Sequence, residues 1–279
     1  MITGEQATTA ARIGDLTLAC PRCRAPLVPD GDSAVRCTVE GDRFPNEDGI
    51  WCFLLPERER RLAQFMAEYA AVRRAEGRGD DDPSFYRALP FHDLTGRFVD
   101  DWRIRAVSYQ ALVNRVLPPL ETRWRRPLRI LDLGAGNCWL SYRLARRGHS
   151  VVAVDLLTDL RDGLGAYAHY DAVFTPVQAE FDRLPFADGQ ADLAIFNASL
   201  HYSPDYATTL REVLRVLAPE GQVVILDSPV YRDARSGEQM LREREAEFTR
   251  RFGFPSNSLP SEGYLTVGRL DSLAAALGL

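Results

Sequence analysis

Residues 128–136 read LRILDLGAG, an apolar strand that ends in a turn with glycines at Gly134 and Gly136. The residues that follow, NCWLSYRLARRG at 137–148, have the pattern of a helix. A glycine-containing turn between a buried strand and a helix lets backbone N–H groups approach a ligand closely at the helix N-terminus. The stretch therefore predicts a nucleotide-type site at one edge of a sheet.

Downstream of this turn, short β-branched runs alternate with helical stretches. SVVAVDL at 150–156 precedes TDLRDGLGAYAHY at 158–170. Further runs of the same kind follow at 172–180, 191–200 and 221–229. Strands that alternate with helices form βαβ units, so this part of the chain is predicted to be an α/β, Rossmann-like, doubly wound parallel sheet with helices on both faces.

Three residues bear on which nucleotide binds. A dinucleotide fingerprint needs a third glycine where Trp139 stands, and the indole would block the close approach that glycine allows. Asp132 also places a negative charge where a pyrophosphate would lie, so NAD and FAD are disfavoured. A cationic sulfonium ligand with an ammonium group would be attracted instead, and Asp155 can accept two hydrogen bonds from a ribose diol. The alternative is a plain tight turn in which Asp155 caps the next helix.

With these residues, the segment from 128 to 279 resembles the class I S-adenosylmethionine-dependent methyltransferases. The resemblance rests on the loop 132–136, on Asp155 and on QAEFDRLPFADGQADLAIFNASLHY at 178–202. It implies that S-adenosylmethionine is the cofactor.

The resemblance also implies roles for individual residues. Glu180 stands where the family has its acceptor for the adenine amino group, and residues 197–201 are expected along the edge of the methyl-transfer site. Cys138 departs from the family, since many members have a third glycine there, and its thiol is expected to narrow the methionine end of the pocket. The implied cofactor-binding residues are Asp132, Gly134, Ala135, Gly136, Asp155, Leu156, Glu180, Phe181 and Asn197.

Catalysis demands little of such a site. A sulfonium is already an activated electrophile, so the enzyme can succeed by desolvating the nucleophile and aligning it with the methyl group. His201 and Tyr202, just past the fourth strand, are the candidates for a general base, His201 because the ordinary imidazole pKa lies near neutrality. The alternative for His201 is a histidine at a helix start that is hydrogen-bonded to a backbone group.

Two amphipathic helices are predicted upstream of the sheet, one after Pro56 and one from Asp100 to Leu117 that stops at Pro118. In similar enzymes the helix before the sheet covers the cofactor. Arg105 is therefore a candidate cofactor-binding residue that holds a carboxylate in a bidentate manner. The alternative is a helix packed on the sheet with Arg105 in an ion pair.

The N-terminal cysteines look like those of a zinc ribbon of the type fused to some RNA-base methyltransferases. A structural zinc site needs four Cys or His ligands on two knuckles. Cys20 and Cys23 form the first knuckle and Cys37 begins the second, but Glu40 stands where a thiolate is expected. Cys52 lies in an apolar run that should pack as a strand. Zinc bound by three cysteines and a carboxylate is one outcome, and a ribbon held by its small core with inert thiols is the other.

Composition excludes several classes of protein. The chain has 279 residues and a formal net charge of -5, and all 34 of its basic residues are arginine. Without lysine there is no Schiff-base chemistry and no P-loop lysine. The lack of a basic excess argues against a large nucleic-acid footprint. No apolar run approaches the roughly 20 residues of a membrane span and no secretory signal is evident, so a cytoplasmic location is expected.

Taken in order, the sequence predicts a zinc-ribbon-like module at 1–56, a helical linker or lid at 57–126 and the methyltransferase domain at 127–279. The leading hypothesis is methyl transfer to an O, N or C atom of a small or medium-sized molecule. An RNA-base methyltransferase is the first alternative, and a non-catalytic adaptor or cofactor-binding module is the second. Because the family normally ends on an antiparallel hairpin, the chain is also expected to lack its C-terminal strands. The acceptor and the oligomeric state cannot be read from the sequence.

Overall fold

The computed structural model describes residues 9–254 and 259–278. The strands are β1 (Arg12–Ile13), β2 (Leu16–Thr17), β3 (Leu27–Pro29), β4 (Ala34–Cys37), β5 (Arg43–Glu47), β6 (Ile50–Cys52), β7 (Arg129–Leu133), β8 (Ser150–Asp155), β9 (Thr175–Gln178), β10 (Ala191–Asn197), β11 (Leu217–Leu226), β12 (Val230–Tyr231) and β13 (Leu265–Thr266). The α-helices are α1 (Pro56–Ala75), α2 (Pro83–Ala88), α3 (Val99–Ala111), α4 (Leu117–Trp124), α5 (Trp139–Arg146), α6 (Tyr206–Val216), α7 (Ala234–Phe252) and α8 (Val267–Leu277).

A nine-stranded sheet forms the centre of the molecule, in the order β11-β10-β7-β8-β9-β6-β5-β4-β3. The strands from β11 to β6 pair in parallel. β7, β8 and β10 are buried along almost their whole length, as expected for strands that have helices on both faces. The strand order reverses between β7 and β10, and ligands of such sheets bind outside the carboxyl ends at this point. The predicted Rossmann-like, doubly wound fold is confirmed.

The N-terminal strands are joined to this sheet. β6 pairs with β9, and β5, β4 and β3 extend the sheet in antiparallel fashion. Leu27 and Phe44 of the N-terminal part belong to the same buried cluster as Val177 and Phe186 of the larger part. The module that the sequence sets apart thus covers the edge of β9, which would otherwise expose unpaired backbone groups.

The helix predicted to stop at Pro118 does not stop there. A π-helical turn at Leu112–Val116 leads from α3 directly into α4, whose first turn contains Pro118 and Pro119. Proline is tolerated in the first turn of an α-helix, because its fixed φ angle suits that position. The two prolines therefore begin a helix and do not terminate one.

The C-terminal part packs beside the sheet without extending it. β12 and β13 pair only with each other, and within the described ranges no strand lies outside β11. The expectation that C-terminal strands are missing stays a prediction. None of the helices that the structure describes is long and apolar enough to cross a membrane.

Candidate functional site

A cavity of about 290 Å³, called here the main cavity, lies at the carboxyl ends of β7, β8, β9 and β10. All of the residues predicted to bind the cofactor or to act in catalysis line it. They are Arg105, Asp132, Gly134, Ala135, Gly136, Asp155, Leu156, Glu180, Phe181, Asn197, His201 and Tyr202. Residues that lie far apart in the sequence are thus brought to one place at the switch point of the sheet.

The glycine turn has the expected shape but not the expected hydrogen bonds. Gly134 and Gly136 have positive φ angles of 78° and 51°. A side chain at Gly134 would place its Cβ only 2.3 Å from Cβ of Ser199, so the close approach there needs glycine. However, the Gly134 and Ala135 N–H groups donate to the Val154 carbonyl. These N–H groups are used within the protein, and the turn shapes the cavity rather than supplying them to a ligand.

Cys138 does not narrow the cavity. Its φ angle is 65°, and its fully buried side chain lies within 4.0 Å of the Leu164 carbonyl oxygen. It is absent from the residues that line the main cavity. The left-handed backbone turns the thiol into the core, so the expectation from the family pattern is wrong for this residue.

Asp132 is buried at the floor of the cavity. Its Oδ2 accepts a hydrogen bond from Ser141 Oγ at 2.7 Å, and its Oδ1 has no partner. Burial raises the pKa of this carboxyl to about 7. Asn197 Oδ1 is also buried without a partner in the same cavity wall. A buried acceptor without a donor is costly. Two such oxygens in one cavity fit a ligand that brings hydrogen-bond donors, such as an ammonium group.

The Asp155 carboxylate joins the loops that follow β7 and β8, and its role toward a ribose stays a prediction. Its Oδ2 accepts from the Gly136 N–H at 2.8 Å and its Oδ1 accepts from the Leu157 N–H at 2.9 Å. Burial raises the pKa of the carboxyl, although these backbone hydrogen bonds oppose the shift. Each carboxylate oxygen has a second lone pair, so Asp155 can hold the loop and still accept from a ribose.

Glu180 already has a strong partner. Arg58, in the first turn of α1, donates from Nε to Glu180 Oε2 at 2.9 Å and from Nη2 to Oε1 at 2.5 Å. Both side chains are largely buried, at 18% and 9% exposed. The family resemblance implies that Glu180 accepts from an adenine amino group, and this role stays a prediction. The structure adds Arg58 as its partner, which no sequence pattern indicated.

A second ion pair holds the other end of α1. Arg73 donates from Nε to Asp162, in the loop that follows β8. The helix therefore lies across the main cavity, attached near each end to a loop at the edge of the sheet. Phe65 and Tyr69, from the middle of α1, line the cavity between these two attachments.

Arg105 has no ion-pair partner in the part of the chain that the structure describes, so the ion-pair alternative is wrong. Its guanidinium lies over the Trp102 ring, 4.7 Å from the ring centre. Burial lowers the pKa of Arg105 from its ordinary value, and the nearby charges of Arg73 and Arg78 lower it further. A cation in this position is well placed to bind an anionic group of a ligand.

The two candidate bases lie together, in the short helical turn Leu200–Tyr202. Burial and the charge of Arg244 lower the pKa of His201 to about 4, so the expectation of a pKa near neutrality is wrong. The His201 Nδ1 has no hydrogen-bond partner. Tyr202 packs edge-on against Tyr69 with ring centres 5.7 Å apart. At neutral pH the imidazole is uncharged, and its low pKa makes it a weak proton acceptor.

The three predicted metal ligands lie away from the main cavity but close to one another. The sulfur atoms of Cys20, Cys23 and Cys37 lie within 4.8 Å of each other. Backbone N–H groups of Arg22 and Glu40 donate to the sulfurs of Cys20 and Cys37 at 3.4 and 3.3 Å. These contacts fit a site for three thiolates.

The fourth position of this site has no ligand among the residues that the structure describes. Glu40 is exposed, and Cys52 belongs to β6, where its sulfur donates to the Ile50 carbonyl at 3.6 Å. The cysteine cluster thus offers three of the four ligands of a structural zinc ion, and partial zinc occupancy stays the prediction.

The chain resembles known methyltransferases over its central part. Residues 131–225 match the family described as Methyltransferase domain. The malonyl-[acyl-carrier protein] O-methyltransferase of Halorhodospira halophila is 36% identical over 121 residues, which are 43% of this chain and 41% of that protein. The arsenite methyltransferase of Aquipseudomonas alcaligenes is 29% identical over 126 residues, 41% of this chain and 36% of that protein.

A solved S-adenosylmethionine dependent methyltransferase from Mesorhizobium loti is 32% identical, with a TM-score of 0.33, over 36% of this chain and 46% of that one. The chain spans only about two fifths of the length of the two curated relatives described above. Together with the fold, the family match shows that residues 131–225 form a methyltransferase domain that contains the strands whose ends surround the main cavity.

Proposed function

We propose that this chain, through its class I methyltransferase domain, transfers the methyl group of S-adenosylmethionine to a small-molecule acceptor. The observation that carries the proposal is the convergence of four loops, after β7, β8, β9 and β10, on the main cavity. At or just after the end of each strand stands a polar side chain of the type that this cofactor needs, and the family match covers these strand ends.

The donor and acceptor groups of the cavity fit the cofactor. The unpartnered oxygens of Asp132 and Asn197 would accept from the ammonium group, and Asp155 would accept from the ribose hydroxyls. Glu180 would accept from the adenine amino group while it keeps Arg58, because a carboxylate can accept four hydrogen bonds. Arg105 would pair with the carboxylate of the methionine part. The bound cofactor supplies an activated methyl group attached to a sulfonium.

The chain's own contribution to the reaction would be binding, alignment and the exclusion of water. α1 covers the main cavity and is attached at both ends. The Phe65 and Tyr69 rings of α1, with the Tyr202 ring from the turn after β10, make this wall of the cavity apolar. A desolvated and aligned nucleophile reacts without strong base catalysis. His201, which is neutral at physiological pH, and Tyr202 are the side chains that could take part in a hydrogen bond to the acceptor atom.

Small-molecule acceptors are favoured over RNA. The relatives described above are named for malonyl-[acyl-carrier protein] and for arsenite. The net charge of -5 also gives no support to a large RNA footprint. If RNA were nevertheless the acceptor, its binding would weaken steeply as salt is added, which a titration at two salt concentrations detects.

A direct test is methyl transfer from labelled S-adenosylmethionine into a metabolite extract and, separately, into total RNA. Label in a small molecule supports the proposal, and label in RNA alone overturns its acceptor class. Cofactor binding without transfer to either pool favours the adaptor alternative. Three further predictions are independent of this assay. They are partial zinc occupancy of the cysteine cluster, the three-part division of the chain and a cytoplasmic location.

A further inference from the structure

We propose that the methyl acceptor binds in a second chamber beside the main cavity, and that it is a single-ring aromatic acid that also carries a hydroxyl or amino group. The proposal deepens the proposed function and rests on it. The second chamber has a volume of about 210 Å³ and lies between α1 and α7. Drug-sized ligands occupy pockets of roughly 300 to 1,000 Å³, so a chamber of this size suits one ring.

The chamber adjoins the main cavity. Phe65, Tyr69, Arg73 and Tyr202 line both spaces, so these side chains form the partition between them. A molecule held in the chamber would therefore lie directly beside the space that the cofactor would occupy.

Aromatic side chains define the shape of the chamber. The Phe65 and Tyr69 rings lie 5.8 Å apart between centres, and Tyr69 meets Tyr202 edge-on at 5.7 Å. Phe248 of α7 belongs to the opposite wall. Offset and edge-on contacts with such rings favour a flat aromatic molecule over a branched aliphatic one.

The polar atoms in the walls indicate what the ring carries. Arg244 of α7 forms no ion pair with any described residue, and its Nε is buried without a hydrogen-bond partner. Arg78 Nη1 and Glu68 Oε2 are buried without partners in the walls of the same chamber. Unsatisfied buried groups of this kind are costly. Two donors and one acceptor match an anionic carboxylate together with one hydrogen-bond donor.

The other charges of the chamber are already balanced. Arg73 pairs with Asp162, and Arg78 also contacts Glu76 and Asp101 at 3.1 Å each. Arg244 is therefore the cation that still needs an anion. Glu68 accepts from Gln64 Nε2 at Oε1, at 2.9 Å, and its Oε2 still needs a donor.

The test uses 4-hydroxybenzoate as the probe, with 4-hydroxybenzamide as its neutral counterpart and benzoate as the version without the donor. Binding to the full chain is measured by calorimetry, with and without S-adenosylhomocysteine. We expect 4-hydroxybenzoate to bind about tenfold more tightly than either counterpart, because each lacks one charge-assisted hydrogen bond. Arg244→Gln should remove the preference over the amide, and Arg244→Lys should keep part of it.

Arg242→Gln is the matched control, since Arg242 lies on the same helix with its side chain 69% exposed. It should bind the three probes as the unmodified chain does. Equal binding of acid and amide, an unchanged preference in Arg244→Gln, or no binding of any probe would each overturn the proposal. Titration of the same samples with S-adenosylmethionine keeps the two proposals separate, because loss of cofactor binding contradicts the proposed function and not the chamber.

Discussion

Arg58 donates hydrogen bonds to both carboxylate oxygens of Glu180, from Nε to Oε2 at 2.9 Å and from Nη2 to Oε1 at 2.5 Å. This ion pair attaches the first turn of α1 to the loop after β9, at the point where the adenine group is expected. Because the pair is largely buried, it links the stability of the fold to the geometry of the site.

Removing the arginine alone should therefore be costly. Arg58→Met leaves the Glu180 carboxylate buried without its cation, and we expect the free energy of unfolding to fall by roughly 3 kcal/mol. Arg58→Met combined with Glu180→Leu should recover at least half of the loss, since no unpaired charge remains. Urea unfolding of the three variants measures this, and Arg60→Met on the exposed face of the same helix is the control. An intact midpoint in Arg58→Met would show that the ion pair is not formed.

Asp155→Ala should affect both binding and folding. The change removes the acceptor for the Gly136 and Leu157 N–H groups as well as the proposed ribose acceptor. We expect affinity for S-adenosylmethionine to fall at least about tenfold, and the urea midpoint to decrease as well. The midpoint should decrease because the Gly136 and Leu157 N–H groups lose their acceptor.

Calorimetry beside urea unfolding checks this prediction, with the exposed Asp171→Ala as the matched control. A lowered midpoint with unchanged cofactor affinity would make Asp155 a structural cap only.

Cofactor binding should depend on the protonation of Asp132. Since burial raises the pKa of this carboxyl to about 7, it is largely protonated below neutrality and cannot attract an ammonium group. Affinity for S-adenosylmethionine should therefore rise by up to about tenfold per pH unit below pH 7, and level off near pH 8. Calorimetry over this range in the unmodified chain and in Asp132→Asn provides the measurement. A dependence on pH that survives in Asp132→Asn would assign it to another group.

The buried His201 should make the fold sensitive to acid. Its pKa of about 4 in the folded chain lies below the ordinary value of 6.5, so between these values the unfolded chain binds a proton that the folded chain does not. The histidine therefore destabilises the fold as pH falls from about 6.5 to 4, by up to roughly 3 kcal/mol. Asp132 acts in the opposite direction, because its raised pKa lets the folded chain bind the proton first.

The contribution of His201 is isolated by comparing the unmodified chain with His201→Asn, in which Asp132 is unchanged. The variant should gain stability relative to the unmodified chain as pH decreases over this window. A difference in the free energy of unfolding between the two proteins that stays the same at every pH would mean that His201 is not buried in its neutral form.

Metal content tests the cysteine cluster. Purified protein should contain well under one zinc per chain, because Glu40 supplies no thiolate beside Cys37, and Glu40→Cys should raise the content. Elemental analysis measures both, with Glu47→Cys as the control for an added thiol outside the cluster. A full equivalent of zinc in the unmodified chain would contradict this prediction.

The residues at the ends of the parallel strands could be predicted from the sequence. Gly134 follows β7, and Asp155 and Asn197 are the last residues of β8 and β10. Because the ends of parallel strands meet at one edge of a sheet, their convergence was predictable. The spacing of the two zinc-ribbon knuckles likewise predicts that Cys20, Cys23 and Cys37 lie close together, as they do.

Contacts that depend on how a helix is oriented could not be predicted. α1 has many arginines, and nothing in their spacing distinguishes Arg58 and Arg73, which reach loops far away in the sequence, from their exposed neighbours. The burial that lowers the His201 pKa also comes from distant elements, including Arg244 of α7. Likewise, β6 has only three residues, and so short a stretch has too little hydrophobic alternation to predict that it pairs with β9.

The central claim is that the main cavity binds S-adenosylmethionine, and titration calorimetry of the full chain with this cofactor tests it most directly. The account predicts saturable binding at one site per chain, and competition by S-adenosylhomocysteine. The absence of saturable heat up to about 1 mM cofactor, a concentration that corresponds to a binding free energy of only about -4 kcal/mol, would contradict it.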